Sequence, residues 1–444
     1  MIRFAAIGLR TWTANLVLFS ALFAAASYGN AAERASVDRA SVEWPQWRGP
    51  KRDGISTDTG LLKAWLDGGP KLAWKATGLG EGFSSISISH GRIFTMGDRD
   101  GEQYVIALSL DENGKELWAT KIGKGGGGDG YPGPRCTPTV DGDHLYAIGI
   151  HGALACLEVD SGDIVWQKDL KKDFGGRMMS GWGYSESPLV DGEKLVCTPG
   201  AKDAAVVALD KSNGDVIWKA SVGDLGEKGR DGAAYSSIIV SHGGGVKQYV
   251  QLMGRGLVSF RADDGELLWN YNRIANGTAS IPTPIVDGDY VFSSTGYGAG
   301  AALVELSSAG GNNVDAKEVY FLEARTLQNH HGGMVLVDGY LYGGNGHNQG
   351  YPVCVEFKTG KIAWNQGRGA GTGSAAIGYA DGHVYFRYQN GVVALVEATT
   401  EGYKLKGKFQ IPDVKNPSWP HPVIVGGKLY LREQDALLCY DVSE

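Results

Sequence analysis

No two of the five cysteines, Cys136, Cys156, Cys197, Cys354 and Cys439, are adjacent or spaced as CxxC. An odd number without paired spacing argues against a disulfide framework and a zinc knuckle, and no CxxCH offers a haem attachment. Basic charge is also lacking: the formal net charge is −7, so neither nucleic acid nor an anionic membrane is favoured as a partner. HExxH, HxH and GK[ST] are missing, and the glycine run at 125–128, with no helix signal after it, is a loop and not a phosphate cradle. The apolar run at 16–26 is shorter than the roughly 20 residues that span a bilayer. It follows Arg3 and Arg10 and leads into small residues through Ala32, the layout of a cleavable export signal. With no cysteine near the cleavage point, the signal is not of the lipoprotein kind.

What the chain has in quantity is glycine, 68 residues against 15 prolines, a balance that suits many short strands joined by turns. The glycines fall in a repeat. "ALDKSNGDVIW" (208–218) recurs as "CLEVDSGDIVW" (156–166), "SFRADDGELLW" (259–269), "CVEFKTGKIAW" (354–364) and, one residue longer, "ALSLDENGKELW" (107–118). Each reads as a strand, a tight turn closed by glycine, and a strand ending in tryptophan. Ahead of each lies a second pattern, an alternating run, an Asp-Gly-type turn and another strand, as in "TPTVDGDHLYAIG" (137–149). Together they make a four-stranded antiparallel unit.

Aligned on the turn glycine of the second pattern, the unit occurs at Gly91, Gly142, Gly192, Gly243, Gly288, Gly339, Gly382 and Gly427. This predicts an all-β, eight-bladed β-propeller. The last unit, ending at "LLCYDV", lacks its outer strand, and the orphan "KLAWKA" (71–76) is placed to supply it. The N-terminal strand therefore completes the last blade and leaves no raw edge. Two units are degenerate: "AKEVYFLEA" and "YKLKGKFQI" stand where a tryptophan strand belongs. Cys156, Cys354 and Cys439 hold equivalent positions in separate blades and are expected to be small core residues. The predicted organisation is an export signal at 1–32, a leader at 33–70 and the propeller at 71–444.

The repeat resembles the pyrroloquinoline-quinone (PQQ) repeat, A-x-D-x-x-x-G-x-x-x-W, over residues 71–444. "WPQWRGPKRDGIS" (44–56) is similar to the leader of exported PQQ-like propellers, with Trp44 and Trp47 expected to pin it to the barrel. The resemblance implies the fold and leaves two classes of function. One is a non-catalytic periplasmic or extracellular propeller, similar in architecture to the outer-membrane assembly propeller. It would be monomeric, with no bound cofactor or metal, and would bind a protein, glycan or small molecule. The other is a quinoprotein alcohol dehydrogenase resembling the polyvinyl-alcohol dehydrogenases, with PQQ and Ca²⁺ in the channel mouth. By that resemblance Trp182 or Trp419 would stack on the quinone, Arg135 would meet its carboxylates and Glu186 would ligate calcium. The family's adjacent-cysteine ring is absent and no aspartate base can be assigned, so binding is the favoured class.

Loop lengths choose the working face. Turns within the paired strands are minimal on one face, whereas 119–135, 167–186 and 343–352 are long loops on the other. Eight residues before each aligned glycine stand Phe83, Pro134, Tyr184, Tyr235, Ser280, His331, Ser374 and Trp419. Two residues on come Ser85, Cys136, Glu186, Ser237, Pro282, Gly333, Ala376 and His421, and these are expected on the same side of each strand. Arg135, Trp182, Tyr184, Glu186, Tyr235, His331, His347, Trp419 and His421 are thus the candidate binding residues. In "NHHGG" (329–333), alternation points His330 away from the mouth and makes His331 with His347 the better pair. No carboxylates accompany them, so no metal site is expected.

Overall fold

Two-residue turns close the innermost hairpins of seven blades, as between Ser89 and Arg92 and between Asp141 and His144, and the hairpins stack into blades. The computed structural model describes residues 42–444. The expected export signal at 1–32, and the start of the leader, lie outside these residues. Eight four-stranded antiparallel sheets form, each in simple sequence order except the last. There Lys71–Thr77 is the outermost strand, paired with Ala436–Asp441 through Lys71–Asp441 to Thr77–Ala436, with one bulge near Trp74. The all-β, eight-bladed propeller and its closing N-terminal strand are as the repeat predicts.

The tryptophan strands explain why the blades adhere. A β-carbon added to Gly162 would stand 2.5 Å from the Trp118 ring of the preceding blade, and at Gly214 it would stand 2.9 Å from Trp166. In these units the turn glycine is therefore a seat for its neighbour's indole. The indole N–H then donates to the seated blade, Trp118 to Val159 O at 3.1 Å and Trp166 to Lys211 O at 3.0 Å. The seam uses the same lock, with Trp74 over Gly114. In the degenerate fifth blade Tyr320 takes the role, seated on Gly360 and donating to Phe357 O at 2.9 Å.

Around the channel, hydroxyls stitch blade to blade. Ser187 Oγ accepts from Thr137 N, Ser237 Oγ from Ser187 N and Thr283 Oγ1 from Ser237 N. Ser85 donates to His421 O and joins the first blade to the last. All five cysteines are buried and free, with Cys156, Cys354 and Cys439 fully inside the blades.

Residues from Trp44 onward run across the inner ends of the blades. Trp44 pairs with Ile88, Pro45 O accepts from Val140 N, and Arg52 reaches Ser187 O. Trp47 donates to Thr283, Arg48 to Met334 O, Ser56 N to Tyr379 O, and Asp58 accepts from Gly427 N. Seven of the eight blades are tied to this one segment. Arg48 and Arg52 both sit at left-handed backbone angles, φ 59° and 58°, a conformation unfavourable for a long side chain. Both residues are buried in return, at 4% and 3% exposure.

Candidate functional site

The mouth is built by the residues that open each innermost strand, and the turn chemistry at the opposite face decides which residues those are. In the first, sixth, seventh and eighth blades the two turn residues both have positive φ, as in His90-Gly91 and Asp338-Gly339. These are type I′ turns with glycine second. In the second, third and fifth blades only the first turn residue, Gly142, Gly192 or Gly288, is positive. These are type II′ turns with glycine first. Aligning all blades on glycine therefore slips those three blades by one residue.

Counted instead from the last strand residue before each turn, the mouth ring is Phe83, Arg135, Ser185, Tyr235, Ile281, His331, Ser374 and Trp419. All but Ser374 line a single cavity of about 280 Å³. The slip corrects two expectations. Tyr184 is 1% exposed and donates to Pro199 O at 2.9 Å, away from the cavity. Glu186 is 2% exposed; Oε2 accepts from Thr198 N at 2.7 Å and Oε1 from Thr198 Oγ1 at 3.0 Å. Burial pushes its carboxyl up to about 8 despite these bonds and the nearby charge of Arg52.

Of the remaining candidates all but His347 converge. Arg135, Trp182, Tyr235, His331, Trp419 and His421 line the cavity together with Phe83. Trp419 meets Phe83 at 4.9 Å between ring centroids, Tyr131 at 4.9 Å and His331 at 4.5 Å. Trp182 packs edge-on against Tyr235 at 5.8 Å across the mouth. The leader supplies the inner end: Trp47 stands 4.5 Å from His421, with Arg48 beside it. Arg48, Tyr131, Tyr297 and His330 carry no signal in the strand register and escape it, since they come from the leader, long loops and a bend.

The histidines depart from the expected pairing. His330 and His331 stack at 3.8 Å, and both line the cavity. Strand alternation does not operate because the strand starts only at Met334, after Gly332 and Gly333 turn the chain at positive φ. His347 lies at 4.2 Å from His330, not paired with His331, and its Nδ1 accepts from Tyr297 N. The protonation of His330 follows from its neighbours. Ser374 donates to Asn348 Oδ1 at 2.9 Å, so it accepts from His330 Nδ1–H at 2.9 Å, leaving Nε2 to accept from Tyr297 OH at 2.8 Å. The ring is neutral, with burial and His347 pulling its pKa down to about 3. Burial likewise holds His331 and His421 well below the usual imidazole value.

Among the described residues no group of three or more His, Cys, Asp or Glu is placed to hold a metal ion. No Asp or Glu lines the cavity. A PQQ–Ca²⁺ pair does not fit this mouth: the assigned calcium ligand Glu186 is engaged inside its blade, and the cysteines nearest it, Cys136 and Cys197, are buried singly.

Fold and mouth together define a PQQ-repeat propeller with an aromatic, arginine-bearing cavity. The chain belongs to the family described as outer membrane protein assembly factor BamB, whose model matches residues 101–366. It is similar to that factor from Xanthomonas campestris pv. campestris, 31% identical over 113 residues, 24% of this chain and 25% of the relative. To the Moranella endobia factor it is 25% identical over 247 residues, 53% of this chain and 55% of the relative. The chain thus spans from a quarter to about half of the curated relatives it matches. Among solved structures, BamB from Moraxella catarrhalis superposes with a TM-score of 0.58 at 12% identity, covering 83% of this chain and 97% of that one. Quinohemoprotein alcohol dehydrogenase from Comamonas testosteroni gives 0.61 at 12%, covering 91% and 81%. These likenesses speak for the fold alone.

Proposed function

We propose that this protein is a non-catalytic, exported binding propeller of the cell envelope that holds a partner or ligand at the channel mouth. The observation that carries the reading is the mouth itself. Aromatic residues from loops and from separate blades converge on one cavity, whereas the opposite face has only short turns and is crossed by the leader. Large rigid side chains with a few directed polar groups suit both ligand pockets and interface anchors. Family membership supports an extracytoplasmic place and action through other proteins, as the name of the relatives implies for them. The apolar run at 16–26 supports export, and among the described residues no helix is long and apolar enough to cross a membrane.

The test is capture of envelope proteins on the immobilised protein, followed by affinity measurement. Trp419→Ala is expected to weaken binding by about 2 kcal/mol. Asp143→Ala and Glu193→Ala, in the opposite turns, are expected to leave it unchanged. The reverse pattern would put the working face at the other end.

A further inference from the structure

The cavity has an uneven hydrogen-bonding inventory, and that unevenness specifies a ligand. Gln389 Oε1 accepts from Trp419 Nε1 at 3.0 Å, and since an indole N–H can only donate, the Gln389 amide nitrogen is left for the cavity. Asn348 Oδ1 accepts from Ser374 N at 3.2 Å and from its hydroxyl, which by the same logic leaves the Asn348 amide nitrogen. Neither nitrogen has a protein partner among the described residues. Both guanidinium groups, Arg48 and Arg135, are also cavity walls. Arg48 donates to Asp53 O and Met334 O, and Arg135 to Tyr131 O and Gly133 O. Only carbonyls meet them; among the described residues neither forms an ion pair, and Arg48 Nε is buried without a partner. Two cations and two free amide donors therefore face a space that holds no carboxylate.

The walls add shape to that charge. Phe83, Tyr131 and Trp419 form one aromatic side, Trp182 and Tyr235 another, and Arg135 lies over the Phe83 ring at 5.4 Å. A fully hydrated ion such as phosphate would gain nothing from these surfaces. A cation would meet two arginines in a partly desolvated space, where like charges repel strongly. Histidine does not change the balance near neutral pH, since burial keeps His330, His331 and His421 uncharged.

We infer that the mouth is a metal-independent receptor for a carboxylate carried on a flat apolar body, seated between the aromatic walls with its charge toward Arg135, Asn348 and Gln389. The inference rests on the mouth being the binding face and names what that face takes. A free aromatic acid and the terminal carboxylate of a peptide ending in an aromatic residue present the same chemistry.

The experiment uses tryptophan fluorescence and calorimetry on the full chain with 4-hydroxybenzoate, its neutral amide, benzylamine, inorganic phosphate, and a peptide ending in phenylalanine as free acid or as amide. A carboxylate is expected to bind about tenfold or more tightly than its amide, with phosphate and benzylamine weaker still, in the presence of chelator. Arg135→Gln should abolish the acid-over-amide preference while leaving the amide's own affinity in place, so that unfolding is told apart from lost recognition. Preference confined to 4-hydroxybenzoate assigns a small-molecule ligand, and preference confined to the peptide acid assigns a chain end. Amide or benzylamine binding as tightly as the acid overturns the inference but leaves the mouth a binding face. No binding of any probe at millimolar concentration also overturns it, and then the Trp419→Ala effect on a captured partner decides the binding-face reading separately.

Discussion

The indole of Trp218 closes so tightly over Gly265 of the next blade that a β-carbon there would stand 2.5 Å from Cε3. The indole N–H of Trp218 reaches Ala262 O of the same turn at 3.3 Å. Removing the ring as Trp218→Ala empties a volume that a β-turn cannot refill, and is expected to cost roughly 3–5 kcal/mol. Denaturant unfolding measures it, and a loss below about 1 kcal/mol would show the lock to be ornamental. Gly265→Val should be comparably damaging, since the residue is held at φ +76°.

Deleting residues 71–77 strips the outer strand from the last blade and removes Trp74 from Gly114. The edge of Ala436–Asp441 then faces solvent unpaired, and the variant is expected to aggregate and lose unfolding cooperativity. A soluble deletion protein with a single sharp transition would mean that the ring closes elsewhere.

Tyr184 and Tyr235 separate the corrected register from the glycine alignment. Tyr184→Ala should destabilise by roughly 3–5 kcal/mol, because the ring is core. Folded Tyr184→Ala protein should still bind at the mouth. Tyr235→Ala should instead weaken binding by about 2 kcal/mol, in addition to a loss of stability from its buried ring and its hydroxyl bond to Ser180. Equal effects of the two on binding would restore the simpler alignment.

That pair also shows how far the sequence could be read. Blade number, closure and the buried tryptophans follow from repetition, because the glycine–indole lock recurs from Trp74 through Trp218. The mouth ring was legible only in blades whose turns share one type. The distinguishing signal was present: two residues separate the glycine from the apolar pair in "GDHLY" and "GEKLV", but one in "GRIF" and "GKLY". A II′ turn places its glycine first, so the strand resumes one residue later. Arg48 and Tyr297 were beyond reach of any such count. Their positions depend on where a leader and a loop land across the ring, which no local pattern records.

Glu186 predicts a pH dependence. Its folded value, about 8, lies above the ordinary 4.5, so the folded state holds the proton more tightly. The resulting stabilisation is complete below about pH 4 and is lost as pH rises to 8, by at most about 1.4 kcal/mol per pH unit. His330, lowered to about 3 from 6.5, contributes the other limb, present above pH 6.5 and lost as pH falls toward 3. Glu186→Gln should flatten the alkaline limb between pH 5 and 8 and spare the acid limb, as read by thermal midpoints across buffers. An unchanged alkaline limb in Glu186→Gln would move its origin to another group.

The leader's bond from Asp58 to Gly427 joins residues 369 positions apart, and Gly78 meets Asp435 across 357. Such contacts close very long loops, whose entropic cost must be met before the contacts reward it. Ring closure is therefore expected to come late in folding. Until then the last blade lacks its outer strand, and that unpaired edge is what a chaperone or an unwanted neighbour would first meet.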